Sequence, residues 1–216
     1  MSAELAQALQ ERREASRARI PVETLAIMDS ATAELEASGL AQQSLPVGSP
    51  APDFSLPNAT GEEVKLSKLL AQGPVILAFY RGGWCPYCSI ELRALQARMS
   101  EILAAGATLV VISPQTPDNS LSTAEKLELA FPVLSDVGNQ VARAYGLVFS
   151  LPEDLRDVYN GWGLDLPAAN GDETFELPVP ATYVIATDGT VAWKFADADY
   201  TKRAEPDHVI ASLAAL

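Results

Sequence analysis

Apolar positions follow two regimes along the chain. Over residues 1–44 they recur at helical intervals among Ala, Glu and Arg, with Leu25, Met28 and Leu35 on one stripe and a break at Pro21, which predicts two helices. From residue 74 onward, short unbroken apolar runs alternate with amphipathic stretches. Residues 74–80 and 107–113 read as buried strands and 132–134 as a shorter one. Residues 85–104 (closed by Gly106), 120–129, 139–145 (before Gly146) and 206–216 read as helices. Residues 182–186 and 191–195 flank Asp188-Gly189 and read as a hairpin. In the linker over 45–58, prolines at 46, 50, 52 and 57 predict extended chain running into a short strand around Phe54, with Gly61 turning the chain before Val64. Residues 147–178 carry Pro152, Gly161, Gly163, Pro167 and Gly171, and are expected to form a long irregular excursion with one short helix at 152–159.

Strands alternating with helices imply an α/β domain over residues 46–216, built on a central mixed sheet flanked by helices. A helical N-terminal extension over residues 1–45 precedes it. Its apolar stripe must bury against the core or against a second subunit, so a homodimer is one expectation. Neither an internal repeat nor a low-complexity tract is visible.

Composition narrows the function. With 15 basic against 28 acidic residues the net charge is −13, which repels nucleic-acid phosphates and anionic lipid headgroups alike. The longest apolar runs, 74–80 and 107–114, fall short of the roughly 20 residues that cross a bilayer. Glu4, Glu11, Arg12, Arg13, Glu14, Arg17 and Arg19 deny the N-terminus the pattern of a secretory signal. Neither cysteine is left over to staple distant segments, as expected for a chain folding in the reducing cytoplasm.

Both cysteines stand in one tetrapeptide, Cys85-Pro86-Tyr87-Cys88, between a buried strand and a helix. At a helix N-terminus the first backbone N–H groups are unpaired and the macrodipole is positive, so a Cys85 thiolate is favoured there. Arg81 would act in the same direction if it points inward. Pro86 suits the first helical turn, and Cys88, about one turn on, lies on the same face within reach of a disulfide. A purely structural disulfide here would close a tiny loop and stabilise little. Zinc needs about four ligands, and only the two cysteines and a distant His208 are present; no metal or other cofactor is expected. His208, in a polar stretch, reads as a surface residue.

The sequence from about residue 48 onward resembles the AhpC/TSA peroxiredoxin-like proteins of the thioredoxin superfamily. The resemblance rests on Gly48-Ser49-Pro50-Ala51-Pro52-Asp53-Phe54-Ser55-Leu56, on residues 61–70 with Val64, Leu66, Ser67 and Leu70, on Ala78-Phe79-Tyr80 before the cysteine turn, on Phe131-Pro132-Val133-Leu134-Ser135-Asp136, and on Val179-Pro180-Ala181-Thr182-Tyr183. It implies a thioredoxin-like fold. It also makes Pro180 a candidate cis-proline facing the thiols, beside Thr182, with Arg81, Trp84, Pro86 and Tyr87 as further supporting residues. The sequence departs from the family pattern of a Pro, a Thr and an Arg around the peroxidatic cysteine. With Cys88 matched to that cysteine, Arg81 stands at the Pro position and Cys85 at the Thr position, and no Arg follows near Pro180. The strand before the motif also lacks the buried carboxylate of thioredoxins, Ala78 and Phe79 occupying that neighbourhood.

The resemblance implies a thiol peroxidase that cycles a Cys85–Cys88 disulfide and takes its electrons from thioredoxin, glutaredoxin or a low-molecular-weight thiol. The intact dithiol keeps two alternatives open: an oxidoreductase acting on protein or mixed disulfides, and a redox sensor without turnover. Helix position favours Cys85 as the attacking sulfur, whereas alignment to peroxiredoxins favours Cys88.

Overall fold

A computed structural model describes residues 4–216. The chain opens with α1 (Glu4–Arg17), α2 (Val22–Ala37) and α3 (Leu40–Gln43). An antiparallel pair, β1 (Ser55–Pro57) and β2 (Glu63–Lys65), leads into α4 (Leu66–Leu70). There follow β3 (Val75–Phe79), α5 (Pro86–Ala97), α6 (Met99–Ala104), β4 (Thr108–Ser113), α7 (Pro117–Lys126), β5 (Val133–Ser135) and α8 (Gln140–Ala144). Next come β6 (Val148–Ser150), α9 (Glu153–Gly161), α10 (Leu166–Asn170) and β7 (Glu176–Pro178). The chain closes through β8 (Ala181–Ile185), β9 (Val191–Ala196) and α11 (Pro206–Leu213).

The main sheet has the order β5-β4-β3-β8-β9. β3, β4 and β5 run parallel, while β8 and β9 are antiparallel to their neighbours, so the sheet is mixed as the alternating pattern predicts. Both faces of β3 are covered, and every residue from Val75 to Phe79 is buried. Ile76 and Ala78 point into a core with Leu92 and Leu95 of α5 and Val209 of α11; Val75, Leu77 and Phe79 point into the opposite core with Leu66 and Leu70 of α4. A strand buried on both faces must be apolar at every position, hence its unbroken run.

The N-terminal extension is part of this body. Leu5 and Leu9 of α1 enter the α5-side core, and α1 lies along α5 while α2 lies against α9. The α2 stripe is only half-buried within the chain: Met28 packs against the α9 side and Leu35 against the opposite core, and no residue of α2 is fully buried.

Two expectations from the sequence change. The segment over 147–178 is not irregular: β6 and β7 pair antiparallel and bracket α9 and α10. Leu151, Leu155 and Tyr159, spaced by one helical turn, anchor a small core of their own with Leu166 and Leu177, against which Ile27, Met28 and Ala31 of α2 pack. The glycines there mark helix ends; Gly171 takes the left-handed conformation that stops α10. The expected single helix over 85–104 is broken at Arg98, where the backbone leaves helical geometry (φ −106°) and the side chain is held by Glu101 and Asp207.

Candidate active site

The cysteine turn is fixed by two close approaches. Gly82 adopts a positive φ of 149°, and a Cβ there would lie 2.3 Å from Nε1 of Trp84. A Cβ on Gly83 would lie 2.1 Å from Oγ1 of Thr123, and the Gly83 N–H donates to Oε1 of Gln115 at 2.7 Å. Glycine at 82 leaves room for the Trp84 ring, and glycine at 83 lets the chain pass close to α7 and still deliver Cys85 as the residue that precedes the first turn of α5. Pro86 occupies that first turn, where its missing N–H costs nothing.

Both cysteines are unbridged and buried, Cys85 1 % and Cys88 0 % exposed. Cys85 lines a cavity of about 510 Å³ that Cys88 does not reach. Arg81, only 3 % exposed, lies in a box of three aromatic rings, with its Cζ 5.0 Å from the Trp84 ring centre, 5.7 Å from Tyr159 and 4.7 Å from Tyr200. It donates to the Tyr159 hydroxyl, while its Nε has no partner among the described residues. The cation is therefore held next to the thiols with hydrogen-bonding capacity to spare.

Beneath the cavity lies a second cation. Arg203 donates from Nη2 to Cys88 Sγ at 3.1 Å, from Nε to the Glu91 carboxylate, and from Nη1 to the carbonyls of Tyr200 and Lys202. Burial opposes a Cys85 anion, but a hydrogen bond from the Cys88 thiol and the charges of Arg81 and Arg203 outweigh it, and the Cys85 pKa falls well below the ordinary thiol value. Burial and the neighbouring Cys85 anion hold Cys88 well above it, despite Arg203. The two sulfurs thus share one negative charge, which rests on Cys85. Burial also raises the Glu91 carboxyl to about 7 against the opposing pull of Arg203.

Of the residues singled out in the sequence, Arg81, Trp84, Cys85, Pro86 and Tyr87 come together around this cavity. Pro180 lines an adjoining cavity of about 210 Å³ that also touches Arg81, and Thr182 is buried opposite Ala78 within the sheet. The expected cis bond is absent: all peptide bonds among the described residues are trans. The Val179 N–H is bonded to the carbonyl of Leu147, so the chain runs from β7 into β8 as extended backbone, which the ordinary trans isomer satisfies. His208 is exposed and away from the thiols.

Sequence reading missed Glu91, Arg203, Tyr159 and Tyr200. The carboxylate sought in the strand before the motif is supplied by the helix after it, and the arginine sought near Pro180 arrives from the loop before α11. Glu91 carried a faint signal, as a charged residue three positions after Cys88 on the apolar face that includes Leu92 and Leu95.

A profile of the AhpC/TSA family matches residues 47–194. The chain belongs to this family. Among curated AhpC/TSA relatives, peroxiredoxin Bcp of Escherichia coli (strain K12) is 36 % identical over 103 residues, which are 48 % of this chain and 65 % of that one. The chain therefore spans just under two thirds of that relative's length. Among solved structures, peroxidoxin BcpB of Mycobacterium tuberculosis superposes with a TM-score of 0.63 at 27 % identity, covering 80 % of this chain and 98 % of that one. A variant of peroxiredoxin 6 from Arenicola marina shares the fold with a TM-score of 0.64 at 13 % identity, covering 79 % of this chain and 72 % of the other. The thioredoxin-like fold of these AhpC/TSA peroxiredoxins is the fold of this chain.

Proposed function

We propose that the protein is a thiol peroxidase in which Cys85 attacks the hydroperoxide and Cys88 resolves the product. The observation that carries this reading is that Cys85 is the sulfur that both opens onto the 510 Å³ cavity and holds the anion beside Arg81. The Cys85 thiolate attacks the terminal peroxide oxygen; an S–O bond forms as the O–O bond breaks. Cys85 is left as the sulfenic acid, and the departing alkoxide or hydroxide takes a proton to become alcohol or water. Arg81, fixed in its aromatic box with Nε unpartnered, favours the thiolate and meets the negative charge that develops on the leaving oxygen. Cys88 then gives up its proton, its forming anion supported by Arg203, and attacks the Cys85 sulfur. The S–S bond forms as hydroxide leaves and is protonated to water, and a thiol donor supplies the two electrons that reopen the disulfide.

Stopped-flow mixing of the reduced protein with hydrogen peroxide tests this reading, with Trp84 beside Cys85 as the fluorescent reporter. A second-order phase far faster than that of a free thiolate, ending in a protein lighter by two hydrogens, is expected. A rate no better than a free thiolate would contradict it.

A second reading takes protein or mixed disulfides as the substrate. What favours it is the pairing of an anionic Cys85 with a protonated Cys88 one helical turn on, the arrangement that disulfide exchange requires. Reduction of insulin disulfides faster than oxidation by peroxide would select it. The cysteine usage supports a cytoplasmic setting for either cycle.

A further inference from the structure

We propose that the protein binds a phosphorylated sugar in a second, polar cavity lined by α5 and α7 beside the cysteine turn. The inference is independent of the oxidant that the thiols take. This cavity is about 410 Å³, within the roughly 300–1,000 Å³ that organic ligands fill. Trp84 and Leu164 line both it and the cavity over Cys85, so the two adjoin, but neither cysteine lines this one.

Its buried wall is built to meet hydroxyl groups. Gln115 is only 4 % exposed, and its Oε1 accepts from the Gly83 N–H at 2.7 Å and from the Thr123 hydroxyl at 3.4 Å. Those two donors fix which end of the amide is which, and they leave the Nε2 group without a partner among the described residues at a cavity that Gln115 lines. A buried amide with unused donors calls for an acceptor. Asn119 is the complement: its Nδ2 donates to Thr116 Oγ1 and to the Ala169 carbonyl, which leaves Oδ1 as a free acceptor. A sugar hydroxyl both donates and accepts, and so answers to either amide.

The charge of the lining runs against the rest of the molecule. The chain carries a net charge of −13, yet no acidic residue lines this cavity, whereas Arg93 and Lys126 do. Both are exposed, and neither forms an ion pair among the described residues. Arg93 stands one turn after Ser89 on α5, and Lys126 one turn after Ser122 on α7, so each helix presents a hydroxyl and a cation on one face. A phosphomonoester, with a charge of about −1.5 to −2 and three acceptor oxygens, suits such a pair. The phosphate therefore sits at Arg93 and Lys126, and the sugar hydroxyls at Gln115 and Asn119. Through Gln115 the ligand is one side chain away from Gly83 and the turn that delivers Cys85.

The test is calorimetric titration of the reduced full-length protein with ribose 5-phosphate, adenosine 5′-monophosphate, ribose and inorganic phosphate. Ribose 5-phosphate should bind saturably with a Kd below about 1 mM, an ordinary range for small metabolites. Ribose and inorganic phosphate, each supplying half of the recognition, should bind at least about tenfold more weakly. Tighter binding of the adenosine monophosphate would assign the ribose phosphate to a nucleotide, and weaker binding to a free sugar phosphate; either upholds the shared chemistry. The R93Q/K126Q double variant, altered only at exposed positions, should lose about tenfold in affinity for the phosphorylated probes, and salt should weaken binding to the parent more than to the variant. Gln115→Glu keeps the acceptor for Gly83 but replaces the free donors with a carboxylate oxygen, and should abolish binding. Absence of saturable binding by both phosphorylated probes would overturn the proposal, as would inorganic phosphate binding as tightly as ribose 5-phosphate, which would show an adventitious anion at the rim only. Unchanged affinity in R93Q/K126Q would place the ligand elsewhere and overturn it as well. None of these results bears on the rate of peroxide oxidation at Cys85, which stands or falls separately.

Discussion

Arg203 holds its Nη2 3.1 Å from the sulfur of Cys88, a residue 115 positions earlier in the chain. It is kept there by Glu91, with which it forms an ion pair in which the side chains are 1 % and 3 % exposed. A buried pair of this kind adds little net stability, but either member alone is costly. Arg203 thus joins the helix carrying the thiols to the loop that precedes α11.

Removing Arg203 should produce a pH-dependent loss of stability. The Glu91 carboxyl titrates at about 7 in the folded state against 4.5 when unfolded, so between those values the folded state binds more protons and stability falls as pH rises. In Arg203→Met the folded value climbs further, and the loss continues above pH 7 by up to about 1.4 kcal/mol per pH unit. Cys85 acts in the same direction: its lowered folded pKa gives stability that grows as pH rises toward the unfolded value, and loss of Arg203 diminishes that gain. Urea denaturation at pH 6 and pH 8 should show the gap between variant and parent widening with pH; a constant gap would contradict the pairing.

Arg81→Met removes the cation that acts more strongly on Cys85 than Arg203 does, and should raise the pKa of that thiol. Alkylation of the reduced protein by iodoacetamide near pH 6 should be markedly slower in the variant, and the midpoint of the rate-pH profile should move upward. An unchanged profile would show that Arg81 does not support the thiolate.

Gly83→Ala drives a Cβ to within 2.1 Å of the buried Thr123 hydroxyl. Overpacking of this kind costs about 1–3 kcal/mol, and here it also displaces the turn that delivers Cys85. Thermal denaturation should show the loss, with slower peroxide oxidation alongside it; an unchanged rate would mean that the turn does not set the position of the sulfur.

Leu9→Ala tests whether the N-terminal arm is part of the fold. Leu9 is 4 % exposed in the α5-side core, and its truncation should cost about 2–4 kcal/mol in urea denaturation. A change below about 0.5 kcal/mol, typical of surface positions, would show that α1 is not docked.

The order of elements was legible because each central strand is buried on both faces and each helix carries one apolar stripe, so residues 74–80 and 107–113 could be recognised without tertiary knowledge. The cysteine pair was legible for the same local reason, lying between a strand and a helix. What could not be read was whatever depends on distant segments meeting. Arg203 and Tyr200 look like ordinary polar loop residues until β9 and α11 carry them under the thiols. The region over 147–178 misled because its glycines and prolines, taken as signs of irregular chain, in fact delimit short helices, while the turn-spaced Leu151, Leu155 and Tyr159 were the better guide. The trans bond before Pro180 was masked by the family resemblance itself.

The assignment of Cys85 as the attacking sulfur is tested most directly by trapping the oxidised intermediate in single-cysteine variants. Cys85→Ser and Cys88→Ser are each exposed to one equivalent of peroxide in the presence of dimedone, and the adducts are located by peptide mass spectrometry. Cys88→Ser should carry a sulfenic-acid adduct on Cys85 at a rate close to that of the parent's oxidation, and Cys85→Ser should remain unlabelled. Rapid labelling of Cys88 in Cys85→Ser, with a slow Cys88→Ser, would contradict it and make Arg203 the cation that activates the peroxidatic thiol.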